Sequence, residues 1–283
     1  MTLNPLLPLI YEPLVRTALL EDLGRAGDIT ADAIVPANQQ ARLQMRARQT
    51  GVVAGLDIAR CVFQMVSPDV SLRAERPDGG AVEPGDVIAT IDGPARSLLT
   101  GERTALNFLC HLSGVATATA TLVEAVKGAR AQIVCTRKTT PGLRALEKYA
   151  VRAGGGGNHR FGLDDAVLIK DNHIALAGGI RTAVERAKAH TGHLVKIEVE
   201  VDTLAQLEVA LSLDIDAVLL DNMRVEQLAQ AVRMADGKVI TEASGRITAA
   251  TAPAIAATGV DLISVGWVTH SSAALDIGLD YLS

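Results

Sequence analysis

From residue 131 onward the hydrophobic positions come in short blocks at regular intervals. AQIVCT (131–136), AVLIK (166–170), VKIEVEV (195–201), AVLLDN (217–222), KVITEAS (238–244) and DLISVG (261–266) are β-rich runs of strand length. Between them GIRTAVERAKAH, TLAQLEVALSL, RVEQLAQAVRMA and TAATAPAIAAT read as helices. The last three strand-to-strand steps are only about 20 residues, the rhythm of repeated βα units feeding a parallel sheet. An α/β barrel is the natural closure. The first half has another pattern. Residues 8–23 suit an amphipathic helix ending at Gly24. ARLQMRARQTGVVAG, VSLRAE and GDVIATIDG suit strands of an antiparallel or mixed sheet, and a long Ala/Leu/Thr-rich helix is expected from Gly101 to Lys127.

The polar residues that close the strands change this picture from a fold to a site. Arg137 and Lys138 follow the first strand after Thr136, and Lys170 ends the second. Glu200 lies near the end of the third, Asp221 and Asn222 end the fourth, Glu242 and Ser244-Gly245 the fifth, and Ser264 to Gly266 the sixth. Residues at the C-terminal ends of successive barrel strands converge on one face, where barrel enzymes keep their chemistry. Glu198 has the same parity as Glu200 and is expected one layer deeper, as a buried structural partner.

Charge sharpens the reading. Residues 137–160 hold six Lys or Arg against one acidic residue, Glu147, in a chain whose formal net charge is −5. The remainder therefore sums to −10 (−5 minus +5). A cationic island in an acidic protein suits a small polyanion better than nucleic acid, and aromatic content of 2% argues further against base stacking. Arginine grips planar carboxylates and phosphates by two parallel hydrogen bonds, and lysine supplies a point charge. The run Gly154 to Gly157 is expected outside the core, bringing N–H groups to a ligand or letting a loop close. Three cysteines without metal or redox spacing predict free thiols in a reducing cytoplasm. The apolar N-terminus lacks a basic leader and a small-residue cleavage site and is broken by prolines, so no secretory signal is expected. The least charged window, Ile247 to Val268, is divided by Pro253 and Gly259, so no membrane span is expected there.

The segment TRKTTPGLRALEKYAVRAGGGGNHRFGL followed by LIKDNH resembles quinolinate phosphoribosyltransferase. EDLGRAGDIT (21–30), GERTALNFLCHLSGVAT (101–117), IEVEV (197–201), LLDNM (219–223), EASG (242–245) and SVGWVTHSSAALDIGL (264–279) extend the resemblance over nearly the whole chain. It implies an N-terminal α/β sandwich (1–112, joined by 268–283) and an incomplete, open α/β barrel (113–267), paired as a homodimer. The implied reaction moves phosphoribosyl from phosphoribosyl pyrophosphate to quinolinate with loss of carbon dioxide. By similarity Arg103, Thr136, Arg137, His159, Arg160 and Lys170 surround quinolinate, with Arg103 supplied by the neighbouring subunit. Lys138, Glu200 and Asp221 face the donor, and Ser244-Gly245 and Ser264 to Gly266 hold its 5′-phosphate. Lys138, Lys170, Glu200 and Asp221 are the expected catalytic set, with Mg2+ held by Glu200 and Asp221 through water.

Two positions depart from the family pattern: Arg246 stands where a second glycine is usual, and Cys135 replaces a small or acidic residue. Competing readings are a fold-sharing relative from metal-transport operons, a transferase that uses nicotinate without decarboxylation, and a non-enzymatic phosphate-sugar or nucleic-acid binding module. Intact TTPGLR, NHRFGL and KDNH favour the quinolinate enzyme.

Overall fold

Proline opens the first helix, α1 (Pro8–Leu23), where its missing N–H costs nothing, and Gly24 ends it at a positive φ of 54°. The computed structural model describes residues 3–281. After α1 come α2 (Ile29–Ile34), β1 (Gln40–Ala47), β2 (Gly51–Val52), α3 (Leu56–Val66), β3 (Ser71–Ala74), β4 (Ala81–Val82), β5 (Val87–Pro94) and α4 (Ala95–Ala125). The chain continues with β6 (Gln132–Val134), α5 (Arg144–Ala153), β7 (Val167–Ile169), α6 (Asp171–Ala177), α7 (Ile180–His190), β8 (Ile197–Val201) and α8 (Leu204–Leu211). It closes with β9 (Ala217–Asp221), α9 (Val225–Ala235), β10 (Ile240–Ser244), α10 (Ala252–Ala256), β11 (Leu262–Ser264), α11 (Trp267–His270) and β12 (Ile277–Tyr281).

These elements form two units. The first holds residues 3–120, 140–155 and 268–281. Its main sheet has the order β12-β1-β5-β3, with antiparallel pairing throughout. Strict alternation along β1 buries Leu43, Met45 and Ala47. Helix α3 lays Leu56, Ile58, Ala59, Val62 and Phe63 into the core. The strand pattern read from the sequence ends at Gly55 and leaves residues 56–66 unassigned, although the spacing of these apolar residues is helical. Helix α4 begins six residues earlier than its sequence pattern, at Ala95 rather than Gly101. It is long and apolar enough to cross a membrane by length and composition, but half of its most apolar stretch is buried within the protein. Leu98, Leu109, Leu112 and Val115 are fully enclosed.

Helix α5 belongs to this unit because its polar groups are satisfied there. Buried Glu147 pairs with His111 Nε2 at 2.9 Å and accepts the Thr140 N–H at 3.0 Å. Tyr149 donates to Asp78 at 2.6 Å, and Asp78 also accepts the N–H groups of Gly55 and Leu56 at the start of α3.

The second unit holds residues 121–139 and 156–267. Its six strands run in the order β6-β11-β10-β9-β8-β7, and every pair is parallel. All six fall inside the six sequence blocks. The helices between them give the open α/β barrel. Register puts Glu200, Leu219 and Glu242 at one level of three neighbouring strands, and Asp221 beside Ser244 one layer higher.

The glycine run, expected outside the core, is buried at its first residue only. Gly154 is buried, and a Cβ there would meet the Ala116 carbonyl at 2.3 Å. Gly157 bridges to Val134 at the edge of the sheet. The N–H groups of Gly154, Gly155 and Gly157 go to the carbonyls of Ala150, Arg152 and Ile133. These three donors are spent on the fold, and Gly154 serves close packing, while Gly155 lies exposed.

Candidate functional site

The period of two along each strand sends alternate side chains inward, and at the C-terminal strand ends these are polar. They line a cavity of about 360 Å³. Its walls are Thr136, Arg137, Lys138, His159, Arg160, Leu168, Lys170, Glu200, Leu219, Asp221, Glu242, Ser244 and Ser264. Ten residues predicted from sequence therefore meet in one place. Gly245 and Gly266 are not in the wall but shape it. Gly245 has φ of 115°, and a Cβ on it would collide with Asn222 Oδ1 at 2.3 Å. A Cβ on Gly266 would press on Lys138 Cδ at 3.0 Å and Thr136 Oγ1 at 3.3 Å. Both turns thus need glycine for close approach, and the first also for its backbone angle. Arg103 is not in this wall: it lies exposed on α4, in the first unit.

Arg160 is held by Nη1 donating to the Ala166 carbonyl at 3.0 Å. Its Nε is buried with no hydrogen-bond partner among the described residues. Burial, then the neighbouring Arg137 charge, makes its cation less favourable than usual. An anion between the two guanidiniums relieves both problems. The NHRFGL loop that presents Arg160 is tied by Asp165, which accepts from Phe161 N at 2.5 Å and Gly162 N at 3.0 Å. In KDNH, His173 Nδ1 accepts the Lys170 N–H at 3.0 Å, so that histidine anchors the turn carrying the lysine.

Lys170 Nζ lies 3.4 Å from Glu200 Oε2. Burial raises the Glu200 pKa; the Lys170 charge opposes this, and the Asp221 carboxylate adds to it. Asp221 accepts from Asn222 Nδ2 at 2.6 Å. Glu200 and Asp221 thus form a carboxylate pair among cations. This suits Mg2+, which commonly takes one or two carboxylates, keeps several waters and borrows oxygens from a phosphorylated substrate.

His159 turns away from solution chemistry. Its Nδ1 accepts the Arg160 N–H at 2.7 Å, so its hydrogen is on Nε2, which points to Glu198 Oε2 at 2.9 Å and Glu242 Oε2 at 3.6 Å. Both ring nitrogens are committed within the protein, and the ring faces the cavity as a surface. Glu198 is the buried partner that its parity predicted. Glu242 was read only as a strand end and not as a site residue. Its signal was the same parity: it stands two residues before Ser244, on the same face.

Fold and cavity together define an open α/β barrel with a cation-rich cavity at its C-terminal face. Residues 28–113 match the family described as "Quinolinate phosphoribosyl transferase, N-terminal domain", and residues 115–280 match its C-terminal domain. The chain belongs to the quinolinate phosphoribosyltransferase family. It is 46% identical over 273 residues to the nicotinate-nucleotide pyrophosphorylase [carboxylating] of Mycobacterium leprae, covering 94% of this chain and 95% of the relative. It is 44% identical over 261 residues to the probable enzyme of that name in Bacillus subtilis, covering 92% and 90%. Among solved structures, NadC from Streptococcus pyogenes superposes with a TM-score of 0.94 at 41% identity, covering 99% of this chain and all of the other.

Proposed function

We propose that the protein transfers phosphoribosyl from phosphoribosyl pyrophosphate to the ring nitrogen of quinolinate and releases carbon dioxide, giving nicotinate mononucleotide and pyrophosphate. The observation that carries this is the cavity itself: Arg137, Lys138, Arg160 and Lys170 around the carboxylate pair Glu200 and Asp221. A dianionic acceptor and a polyanionic donor can meet only where cations offset their mutual repulsion.

Arg137, Arg160 and Lys170 hold the two carboxylates of quinolinate, with Thr136 and the His159 ring completing the pocket. Lys138 faces the donor's phosphates, and the turns at Ser244-Gly245 and Ser264 to Gly266 receive the 5′-phosphate. Glu200 and Asp221 take the ribose hydroxyls and hold Mg2+ through water. When bound, that ion offsets the charge of departing pyrophosphate. The nitrogen lone pair forms the new bond to ribose C1′ as the bond to pyrophosphate breaks. Positive charge grows on the sugar, and the carboxylate pair stabilises it. The C2 carboxylate then leaves as carbon dioxide, its bonding pair stays on C2, and C2 takes a proton. The three cysteines are free, which supports a reducing, cytoplasmic setting.

Ultraviolet detection of nicotinate mononucleotide from quinolinate, the donor and magnesium tests the reading. Product from nicotinate instead, without carbon dioxide release, would replace it with the non-decarboxylating alternative. For the metal, Asp221→Asn is expected to raise the magnesium requirement and cut turnover by about 10- to 100-fold with quinolinate affinity nearly intact. An unchanged magnesium titration would remove Asp221 from the ion.

A further inference from the structure

Glu242 lines the cavity and has no part in the reaction described so far. It sits on β10 with 1% of its surface exposed. Its Oε2 faces His159; its Oε1 is buried with no hydrogen-bond partner among the described residues. The groups that act on it are Glu198 from β8, His159 from the NHRFGL loop and the Ser264 hydroxyl from β11. His159 does not satisfy both carboxylates: its Nε2 lies 2.9 Å from Glu198 but 3.6 Å from Glu242, and its other nitrogen accepts from Arg160.

An ionised Glu242 in this position would set a buried carboxylate charge against a dianionic occupant. A protonated Glu242 would offer it a donor instead. We propose that Glu242 is a further quinolinate-binding residue that works as a carboxylic acid, donating the Oε1 hydrogen to a carboxylate oxygen of the substrate. The proposal rests on the quinolinate reading of the cavity. Burial first, then the Glu198 charge, raises the Glu242 pKa to about 7, against weaker opposition from His159 and Ser264. The acid form is therefore available near neutrality, and an arriving dianion favours it further. The neutral acid also matters for the pocket's charge: four lining cations then oppose two lining carboxylates, Glu200 and Asp221, rather than three.

The sign of the pH effect follows. The competent form carries the proton, so binding is strongest below the Glu242 pKa and weakens as pH rises through it. For a group titrating at about 7, the competent fraction falls about tenfold between about pH 6 and about pH 8, and apparent affinity falls with it. Calorimetric titration of the full chain with quinolinate alone, in buffers of different ionisation heat, reads both affinity and protons taken up. Wild type is expected to lose about tenfold in affinity over that range and to take up close to one proton at the alkaline end. Glu242→Gln, which keeps a neutral donor, is expected to rescue binding and abolish the pH slope and the uptake. Glu242→Ala is expected to bind about tenfold more weakly at the acid end, where the donor is missed most.

Equal pH slopes in wild type and Glu242→Gln would overturn the proposal. Binding by wild type without proton uptake at the alkaline end would do so with no variant needed, should one fail to fold. Either result leaves the quinolinate reading standing. Absence of quinolinate binding by wild type at every pH would sink that reading and the proposal with it.

Discussion

Arg246 stands where the family pattern has a second glycine, and it keeps a backbone angle that glycine favours. It has φ of 43°, in the left-handed region where glycine is at ease. Its side chain is exposed and outside the cavity wall. The backbone has therefore kept the conformation of a glycine turn and accepted the strain of a Cβ. That strain is about 1–2 kcal/mol, partly offset because glycine adds about 0.4–1 kcal/mol of unfolded-state freedom. Arg246→Gly is expected to stabilise the protein by up to about 1 kcal/mol and to leave donor affinity unchanged. Denaturant unfolding and calorimetric titration with phosphoribosyl pyrophosphate check the two halves. A clear loss of donor affinity would make Arg246 a phosphate cation instead.

At the scale of elements, the glycine run follows α5 in the chain. Its two ends answer to different neighbours. A Cβ at position 154 meets backbone, the Ala116 carbonyl of α4, which cannot move aside. A Cβ at position 157 first meets Gln132 Nε2 at 2.8 Å, the far end of a flexible side chain. Gly154→Ala is expected to cost about 3 kcal/mol or more, at the upper end of overpacking. Gly157→Ala is expected to cost about 1 kcal/mol. Thermal melts of the two variants give the order directly; equal losses would mean that α5 can back away from α4. The lysine turn shows the same principle in favour of function, since His173 at the start of α6 fixes the backbone of Lys170.

At the scale of the molecule, Arg103 bears on assembly. The family resemblance gives it a place around quinolinate, yet it lies on α4, exposed, and the cavity wall comes wholly from the second unit. A homodimer whose partner donates Arg103 reconciles these facts and is the assembly we propose. Two inactive variants, Arg103→Ala and Lys138→Ala, are then expected to complement each other when subunits exchange. Each hybrid dimer would hold one doubly defective site and one native site, so activity should approach about one quarter of wild type when half the dimers are hybrids. No recovery, with exchange verified by native mass spectrometry, would place Arg103 outside the shared site.

The sequence by itself determined the barrel strands and most of the cavity. Strand periodicity is local, and parity carries a side chain's facing along with it, so Lys170, Glu200, Asp221, Ser244 and Ser264 could be placed on one face before any contact was known. Distant packing was not legible. The enclosure of Gly154 by α4, the membership of α5 in the first unit and the pairing of β12 with β1 depend on residues far apart in the chain. Helix α3, left unassigned in the sequence pattern, did carry a local signal in the spacing of Leu56, Ala59, Val62 and Phe63. The proton on Glu242 and the committed ring of His159 are the furthest from sequence. Burial and groups from three separate strands or loops set them, and such energies exist only once the chain has brought those groups close together.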